Sequence, residues 1–328
     1  MSNLYAKVVG IGKCLPEGVL SNADLEKMVD TSDEWITQRV GVKERRIADE
    51  HTYTSDLAAN AAIEALKDAD MQAEELDLII LATITPDMMT PSCACMVQTA
   101  IGAVNAAAFD LNAACPGFIF ALVTAQQFIA CGMYKNVLVI GVDCLSKVTE
   151  YQDRNTCVLF GDGAGAFILQ ASEEETGVLS SVLGADGKSG EVLTLPNLRY
   201  DETEKTRRPF GHPHTLYMDG KTVFKFAIKV MSQSTMEVLE SAGYTLEDIA
   251  LIIPHQANLR IIDSAQKRIG CAPEKMYKNI EKYGNMSSAC IPVAFCCAVE
   301  EGRLKRGDKT VLVSMGGGLT WGAVLLKY

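Results

Sequence analysis

Apolar residues occur along the chain in two kinds of pattern, which together predict an α/β protein. Continuous apolar runs of strand length, such as Leu76 to Thr83, are typical of strands buried on both faces of a sheet. Elsewhere the apolar residues follow a helical period, as in residues 56–68, where they share one face. Near the start of the chain, Asn22 or Asp24 is the expected N-cap of a short helix. Strands that alternate with helices imply mainly parallel or mixed sheets with helices on both faces.

The same order of elements occurs twice. The run at 77–83 is matched by 248–254, and about sixty residues after each comes a further apolar strand, at 136–141 and at 309–314. Each half has a turn of small residues before an apolar helix, and each half closes with a glycine-rich turn and a last strand. The sequence therefore predicts a duplicated α/β unit.

The duplication also predicts where a site would lie. The seam falls near 172–177, so we expect an N-terminal half at 1–174 and a C-terminal half at 175–328. A polar insert at 184–220 has little periodicity and is interpreted as a long loop or a cap over a site. Two halves related by a pseudo-twofold axis would bring their small-residue and glycine-rich turns together around one shared cleft.

Composition and charge exclude several classes of partner. The chain has 328 residues and a formal net charge of −11, which argues against nucleic acid as the main partner. No apolar run approaches the length of about 18 residues that a membrane span needs, and Met1 to Lys7 lacks the pattern of an export signal. Several of the eleven cysteines lie inside apolar runs. We therefore expect reduced thiols, a cytoplasmic location and no membrane association.

One cysteine stands at a corner that favours chemistry. The strand-like run 105–111 is followed by small residues, by Cys115, and then by Pro116 at the start of an apolar helix over 118–131. The sulfur of Cys115 would lie beside free backbone N–H groups at the positive end of a helix dipole, which favours the nucleophilic thiolate. The alternative is that Cys115 is one more buried thiol.

A histidine and an asparagine occupy comparable positions in the second half. His255 follows a buried strand in Ile253-Pro-His-Gln-Ala-Asn258, and Asn285 stands in the small-residue turn that the repeat aligns with the Cys115 corner. Taken alone, His255 could be a core histidine and Asn285 a turn residue. A cysteine with a histidine and an asparagine distant in sequence is the pattern of a nucleophilic cysteine enzyme, which their matching positions favour.

The glycine-rich segments differ in what they could bind. The segments at 161–165 and at 10–12 have no helix opening after them, so a phosphate site is not expected at either. Gly316 to Gly318 follows a buried strand, where bare backbone N–H groups can approach a ligand. One of these N–H groups, together with that of Cys115, could form an oxyanion hole. Cys93-Ala-Cys95 has no second pair at ligand spacing, so no metal site is expected.

Taken together, these motifs resemble those of one enzyme family. The chain is similar over nearly its whole length to the β-ketoacyl-[acyl carrier protein] synthase III family, which has the thiolase fold. The similarity lies in Thr31-Ser-Asp-Glu-Trp-Ile-Thr-Gln-Arg39-Val-Gly41, Asn112-Ala-Ala-Cys115-Pro-Gly-Phe, Phe160-Gly-Asp-Gly-Ala-Gly, Pro254-His255-Gln-Ala-Asn258, Tyr283-Gly-Asn285-Met-Ser-Ser and Gly316-Gly-Gly-Leu-Thr-Trp-Gly. One departure is Met286-Ser287-Ser288, where the family commonly has Thr-Ser-Ala.

The resemblance implies a layered αβαβα fold and a decarboxylative Claisen condensation that initiates fatty acid synthesis. Cys115 would take an acyl group from coenzyme A, with the N–H groups of Cys115 and Gly317 as the oxyanion hole. His255, as a neutral ring, and Asn285 would then hydrogen-bond the thioester oxygen of malonyl-[acyl carrier protein] and stabilise the enolate that forms as carbon dioxide leaves. Coenzyme A is a substrate here, and no permanently bound cofactor is implied.

The resemblance also implies binding surfaces and a homodimer. Trp35 and Arg154 would sandwich the adenine of coenzyme A, Arg39 would lie near its phosphates, and Asn258 near its pantetheine arm. The remaining assignments are an acyl pocket shaped by Leu145, Phe160 and Met315, a loop with Thr90 that reaches the partner subunit's pocket, and a basic patch for the acidic carrier protein at Lys225, Arg260, Lys267 and Arg268.

Four other functions are weighed against this one. A related condensing or acyl-transfer enzyme of secondary metabolism would keep the fold with a different acyl donor or acceptor. A catalytically silent partner subunit is disfavoured by the intact set of Cys115, His255 and Asn285. A cysteine protease does not suit tandem α/β repeats, and a thiolase would need a second catalytic cysteine in the Gly316 segment, which has none.

Overall fold

The computed structural model describes residues 4–208, 210 and 213–328. The expected lack of an export signal concerns a segment whose residues 1–3 lie outside these ranges. Within the ranges the strands are β1 (Tyr5–Cys14), β2 (Gly18–Ser21), β3 (Glu44–Ile47), β4 (Leu78–Ala82), β5 (Ala107–Leu111), β6 (Asn136–Cys144), β7 (Asp162–Ser172), β8 (Gly177–Ala185), β9 (Leu193–Thr194), β10 (Tyr217–Met218), β11 (Leu251–Pro254), β12 (Lys309–Gly316) and β13 (Thr320–Lys327). The α-helices are α1 (Asn22–Leu25), α2 (Asp33–Arg39), α3 (Thr54–Ala69), α4 (Cys93–Ile101), α5 (Gly117–Ala130), α6 (Arg154–Cys157), α7 (Glu202–Arg207), α8 (Gly220–Ser241), α9 (Leu259–Ile269), α10 (Ile280–Tyr283) and α11 (Cys290–Glu300).

Two sheets carry the predicted duplication. The first is five-stranded with the order β1-β7-β6-β4-β5, and the second is four-stranded with the order β8-β13-β12-β11. The two sheets also agree in strand direction: β6 and β4 are parallel, as are β12 and β11, and the other shared pairs are antiparallel. In the second half, the position that corresponds to β5 holds only a single parallel bridge between Ile252 and Met276.

Helices form three layers around the two sheets. The apolar helices α5 and α11 lie between the sheets and share one core cluster with strands of both. Helices α3 and α4 cover the outer face of the first sheet, and α8 and α9 cover the outer face of the second. The order of layers is therefore helix, sheet, helix, sheet, helix, and the expected αβαβα fold is confirmed.

A chain of aromatic rings ties the middle layer to the first sheet. Phe118 of α5 meets Phe167 of β7 with ring centroids 4.9 Å apart, and Phe167 meets Phe295 of α11 at 4.7 Å. Phe295 in turn contacts the ring of Tyr328 at 4.9 Å. Such edge-to-face contacts between buried rings add to the free energy that apolar burial supplies. They fix α5, and therefore the residues that precede it, against the sheet.

The first short helix is capped differently from the prediction. Its N-cap is Ser21, not Asn22 or Asp24, because Ser21 and Asp24 form a reciprocal capping box. The Ser21 side chain accepts from the N–H of Asp24, and the Asp24 carboxylate accepts from the N–H of Ser21. The helix predicted over 56–68 is confirmed as α3.

Close packing of α3 on the first sheet explains the glycine pair at 10–12. A Cβ atom added to Gly12 would lie 2.3 Å from the carbonyl oxygen of Ala61 in α3. The glycines of β1 therefore let a helix approach the strand.

The polar insert at 184–220 is more ordered than a plain loop. It contains β9, α7 and β10, with β9 and β10 paired antiparallel, and its residues 209, 211 and 212 lie outside the described ranges. The buried guanidinium of Arg208 holds these pieces together: it donates to the carbonyl oxygens of Thr194 and Thr215 and to the Glu204 carboxylate. Several apolar residues of the insert line the cavity described below, which gives it the position of a cap.

The boundary between the halves is best placed between the two sheets. Strand β7 of the first sheet ends at Ser172, and β8 of the second begins at Gly177. We propose the division into 1–174 and 175–328 on this ground. In the part of the chain that the structure describes, no helix is both long and apolar enough to cross a membrane.

Candidate active site

A cavity of about 580 Å³ lies between the two halves and brings the three candidate catalytic residues together. Cys115 and His255 reach it from the segments that follow β5 and β11, and Asn285 from the turn before α11. Gly316 to Gly318, at the end of β12, completes this part of the wall. The cleft expected from the repeat is therefore present.

The backbone around Cys115 is arranged to surround its sulfur with N–H groups. Gly117 N–H closes a tight turn by donating to the Ala114 carbonyl oxygen at 2.7 Å, so Cys115 stands immediately before α5. The backbone N–H groups of Cys115 and Gly317 both hydrogen-bond the thiol. Gly316 must lack a side chain, since a Cβ atom there would lie 2.7 Å from the Cys115 nitrogen. Two backbone N–H donors near the sulfur are the groups that an oxyanion hole needs.

The protonation state of Cys115 differs from the sequence expectation. Burial raises the pKa of the thiol to about 11, although hydrogen bonds from Ser287 and from the two N–H groups lower it. The nearby Asp143 carboxyl raises it further. The expectation that the helix terminus favours a thiolate was therefore wrong for the free protein, because desolvation outweighs the dipole and the N–H groups. The thiol must therefore lose its proton before or as it attacks.

His255 is buried and uncharged. Its backbone N–H donates to Val313 at 2.7 Å, and only 1% of its surface is exposed. Burial lowers the pKa of the ring to about 3, so the ring is neutral near pH 7. Its Nδ1 atom is buried and has no hydrogen-bond partner within the described ranges. The tautomer with its proton on Nε2 avoids burying an unpaired N–H donor and keeps one donor for a ligand.

Asn285 is held so that its amide can only donate into the cavity. Its backbone forms a bridge to the other half, with its N–H on the Leu159 carbonyl oxygen at 2.9 Å and its own carbonyl oxygen accepting from Gly161. Its side-chain oxygen accepts from the Ser287 N–H at 2.8 Å and from the Cys290 thiol at 3.7 Å. This pattern assigns the NH₂ group to the free side of the amide.

Strained backbone clusters around the sulfur of Cys115. Of the four described non-glycine residues with positive φ, Ala114 at 54° and Ser287 at 49° line the cavity, and Leu319 at 45° follows the cavity-lining Gly318. The fourth, Asp70, is an ordinary left-handed helix C-cap. Such strain costs roughly 1–3 kcal/mol per residue and is typical of functional sites. It supports a functional role for these turns.

The sequence analysis missed a buried carboxyl beside the site. Asp143, at the end of β6, is fully buried and accepts hydrogen bonds from the turn after β4 and from the Ser288 turn before α11. The signal for it was present, because Asp143 is the one charged residue in the apolar run 137–144. Ser287 and Ser288 were also noted, but only as a departure from the family pattern.

The acyl-pocket candidates fall into two groups. Leu145, Phe160 and Met315 line the cavity and are buried. Thr90 is exposed and lies outside the cavity of its own chain, in a loop that ends at a cis bond to Pro91. The sequence analysis missed the apolar side chains that the insert contributes to the cavity wall, because the insert has no periodic pattern: Leu193, Leu195, Leu216 and Met218.

The candidate coenzyme A residues lie together outside the cavity wall, apart from Asn258, which lines it. The guanidinium of Arg154 lies 5.0 Å from the Trp35 ring centroid and that of Arg39 lies 6.0 Å from it. Arg154 is too close for a purine to fit between, and it also donates to the Asp30 carbonyl oxygen at 2.7 Å. Asn258 is the N-cap of α9, and its NH₂ group donates to the Arg39 carbonyl oxygen at 3.2 Å. These contacts connect the cavity with the Trp35 cluster.

The candidate docking residues are exposed on α8 and α9. Arg260 of α9 lies over the ring of Phe224, a residue of α8 that lines the cavity. Lys225 is the residue that follows Phe224 on α8. Lys267 and Arg268 lie at the far end of α9, about 11 Å along the helix axis. Within the described ranges none of the four forms an ion pair. Lys221 and Lys229, one helical turn on either side of Lys225, extend the basic face and were missed.

The buried ring of His255 predicts a specific pH dependence of stability. Its folded pKa is about 3 and its unfolded value about 6.5, so the unfolded chain binds the extra proton as the pH falls below 6.5 and stability is lost in that window. Lowering the pH from 7 to 5 should cost wild type about 2 kcal/mol more unfolding free energy than it costs His255→Gln. Urea denaturation at both pH values measures the difference.

The same substitution at the exposed His51 is the control and should keep the wild-type pH dependence. Equal pH dependence in wild type and His255→Gln would contradict a buried neutral ring.

Comparison with known proteins agrees with the resemblance found in the sequence. The chain matches family models described as 3-oxoacyl-[acyl-carrier-protein (ACP)] synthase III over residues 109–187 and as the C terminal of the same synthase over residues 239–328. It is 52% identical to a β-ketoacyl-[acyl-carrier-protein] synthase III of Caldanaerobacter subterraneus subsp. tengcongensis, in an alignment that covers 99% of this chain and 98% of that protein.

Solved structures agree as well. The crystal structure of 3-oxoacyl-[acyl-carrier-protein] synthase III from Aquifex aeolicus is 49% identical with a TM-score of 0.92, and the match covers 98% of this chain and 100% of that one. The synthase III structure from Thermus thermophilus is 45% identical with a TM-score of 0.92, covering 98% and 99%. The chain therefore belongs to the β-ketoacyl-[acyl-carrier-protein] synthase III family, the condensing acyltransferases of the thiolase fold that initiate fatty acid synthesis.

Proposed function

We propose that this chain transfers an acyl group from coenzyme A to Cys115 and condenses it with malonyl-[acyl carrier protein], releasing carbon dioxide and a β-ketoacyl-[acyl carrier protein]. The observation that carries this proposal is the meeting of Cys115, His255 and Asn285 around one cavity, next to the Gly317 N–H. A nucleophile and two uncharged donors are the groups that the two half-reactions need.

The first half-reaction is acyl transfer to the cysteine. The Cys115 sulfur attacks the thioester carbonyl carbon, and the oxygen becomes negatively charged as the tetrahedral intermediate forms. The N–H groups of Cys115 and Gly317 are fixed by the start of α5 and by the turn after β12, so they can stabilise this charge without rearranging. Coenzyme A leaves when its carbon–sulfur bond breaks, and it takes up a proton in place of the one that the Cys115 thiol loses.

The second half-reaction is decarboxylation followed by condensation. The thioester oxygen of the malonyl group becomes an enolate oxygen as carbon dioxide leaves, and Nε2 of His255 and the NH₂ group of Asn285 donate to it. Both donors are neutral and neither needs to give up a proton, which agrees with the low pKa of the ring and the fixed amide. The enolate carbon then attacks the acyl-cysteine, and the Cys115 sulfur leaves.

The two half-reactions predict distinct variant behaviour in intact-protein mass spectrometry with a panel of acyl-CoA donors. Wild type should gain one acyl adduct and lose it when malonyl-[acyl carrier protein] is added. Cys115→Ala should gain none. His255→Ala and Asn285→Ala should still be acylated but should lose the adduct about 10²–10³-fold more slowly, because each lacks one donor to the enolate.

Asn279→Ala is the matched control for the asparagine, since Asn279 is buried but does not line the cavity. Absence of an adduct with every donor would contradict the condensing reaction and favour a silent partner subunit. An adduct that malonyl-[acyl carrier protein] does not remove would favour the relative from secondary metabolism.

The substrates would reach the cavity through an opening between two groups of residues. One group is Trp35 with Arg39 and Arg154, and the other is the set of basic residues on α8 and α9. We place the adenine of coenzyme A at Trp35, with Arg154 moving away from Asp30 to stack on its other side and Arg39 near the phosphates. The acidic carrier protein would dock on Lys225, Arg260, Lys267 and Arg268. The positive patch on a chain with a net charge of −11 supports a local, electrostatically guided contact.

These two surfaces can be separated by a crossed pair of variants. Trp35→Ala should raise the KM for acyl-CoA about tenfold and leave the KM for malonyl-[acyl carrier protein] unchanged, because one stacking contact is lost. The double variant Lys225→Glu with Arg260→Glu should raise the KM for malonyl-[acyl carrier protein] and leave the KM for acyl-CoA unchanged. This increase in KM should become smaller at higher salt. Steady-state kinetics with each substrate varied in turn measures both.

Lys7→Glu, an exposed charge reversal on β1, should change neither constant. Equal effects of one variant on both substrates would contradict separate surfaces.

An exposed sheet edge supports a homodimer. Strand β5 is the edge of the first sheet, and beside it Met89 and Val104 are 68% and 73% exposed. An open edge with exposed apolar neighbours is a surface that proteins normally cover. We place the twofold contact at β5, from which the Thr90 loop could reach the partner subunit's acyl pocket.

Sedimentation equilibrium at micromolar concentration should give twice the mass of one chain. Ala107→Arg, at an exposed position of β5, should shift the protein toward monomer, because it places a charge in the proposed contact. Ile63→Arg, at an exposed position of α3, is the control. A monomeric wild type would contradict the proposal.

A cytoplasmic location is supported by the thiols, all eleven of which are unpaired. Recovery of the protein from the membrane fraction of lysed cells, or with disulfides formed, would contradict it.

A further inference from the structure

Asp143 is a buried carboxyl for which acyl transfer and decarboxylation, as described above, have no use. It is fully buried and does not line the cavity. One carboxylate oxygen accepts from the Thr83 hydroxyl at 2.8 Å and from the Ile84 N–H at 2.7 Å. The other accepts from the Ser288 N–H at 3.1 Å. These donors connect Asp143 to the turn before α11, the same turn that carries Asn285.

Ser287 connects this carboxyl to the nucleophile. Its hydroxyl lies 3.6 Å from the Cys115 sulfur, and its interaction with the Asp143 carboxyl lowers the pKa of that group. The backbone of Ser287 lies in the left-handed region, with φ at 49°. Its N–H donates to the side-chain oxygen of Asn285. The backbone therefore maintains a strained conformation that places one hydroxyl against both the thiol and the acid.

The surroundings of Asp143 can satisfy both of its protonation states. The Ser288 hydroxyl lies 2.9 Å from the Asp143 carboxyl and 2.9 Å from the Ala82 carbonyl oxygen. When Asp143 is ionised, Ser288 can donate its single proton to the carboxylate. When Asp143 is protonated, Asp143 can donate to Ser288, and Ser288 can donate to Ala82. A group that receives and returns a proton needs this property.

We propose that Ser287 and Asp143 form the route by which the Cys115 thiol loses its proton during acyl transfer. The inference rests on the proposed function and adds a base to it. Ser287, which touches the reacting sulfur, is a catalytic residue in this scheme. Asp143 acts through Ser287.

The step balances without any further reagent. The thiol proton moves to the Ser287 oxygen while the Ser287 proton moves to the Asp143 carboxylate. The freed thiolate forms a bond to the acyl carbon, and the bond from that carbon to the coenzyme A sulfur breaks. The proton returns from Asp143 through Ser287, and coenzyme A leaves as the thiol, so Asp143 is ionised again.

Burial, rather than neighbouring charges, sets the protonation states of the two groups. Among the titratable groups that interact electrostatically with Asp143 are thiols on three elements: Cys115 before α5, Cys144 on β6 and Cys290 on α11. Burial raises the pKa of Asp143, which makes it a stronger base than an exposed aspartate, and burial also keeps the Cys115 thiol protonated. Acyl transfer in wild type should slow as the pH falls through the raised pKa of Asp143 and should be nearly constant above it.

The test is the single-turnover rate of adduct formation against pH, measured by rapid-quench mass spectrometry with the acyl-CoA that labels wild type fastest. In Asp143→Asn, acyl transfer at pH 7 should fall about 10²-fold, the usual contribution of a general base. Its rate should then rise about tenfold per pH unit, following the thiolate fraction of a thiol whose pKa is about 11. A variant that is merely misfolded would not recover with pH.

Ser287→Ala tests the relay without changing the acid, and it should show the same loss and the same recovery with pH. Ser314→Ala is the matched control, because Ser314 is a buried serine whose hydroxyl has no partner in the described part of the chain. It should keep the wild-type pH profile. Ser314→Ala, once acylated, should also be discharged by malonyl-[acyl carrier protein] at the wild-type rate.

Wild-type pH profiles in both Asp143→Asn and Ser287→Ala would overturn the relay while leaving the proposed function intact. A wild type that is not acylated at all would contradict the proposed function itself.

Discussion

Desolvation of the groups around Cys115 is the constraint on which the rest of the site depends. The same burial that brings the nucleophile between the sheets raises the pKa of its thiol and of Asp143, and lowers that of His255. In water at pH 7 the histidine would be partly charged and the aspartate fully ionised. In the buried site the histidine becomes a fixed neutral donor, and the buried aspartate becomes more basic. The fold thus sets the protonation states that the chemistry needs.

The layered fold explains how such burial is tolerated. Helices α5 and α11 are apolar nearly all round because they lie between two sheets, and the aromatic contacts of Phe118, Phe167 and Phe295 hold them there. The two turns that precede these helices meet where Ser287 contacts Cys115, and each contains a strained residue, Ala114 in one and Ser287 in the other. A large core of this kind can supply the few kcal/mol that such strain costs.

Much of the fold could be predicted from the sequence, because buried strands and helices leave periodic apolar patterns. The duplication follows from the same patterns, and the matching positions of Cys115, His255 and Asn285 in the two halves suffice to predict that they share one cleft. The insert could not be predicted in this way: its short elements are held by the side chain of Arg208, and its cavity-lining leucines follow no period.

Two properties of the site could not be predicted from the sequence, for physical reasons. The contact between Ser288 and Asp143 joins residues 145 positions apart, and neither motif by itself indicates the other. The charge on Cys115 depends on the balance between a helix terminus, which favours the thiolate, and burial, which disfavours it. Spacing reveals the first of these effects but not the second, and here the second is larger.

The composition of the cavity wall bears on the decarboxylation step. Among the described residues that line the cavity, none carries a formal charge, and most are apolar. A malonyl carboxylate that enters would lose its water shell without gaining a cation, whereas carbon dioxide, which is neutral, has no such cost. The two donors at His255 and Asn285 would meanwhile favour the enolate oxygen. Two effects would therefore favour loss of the carboxylate. The apolar wall solvates the charge of the malonyl carboxylate poorly, and the two donors stabilise the charge that forms on the enolate oxygen.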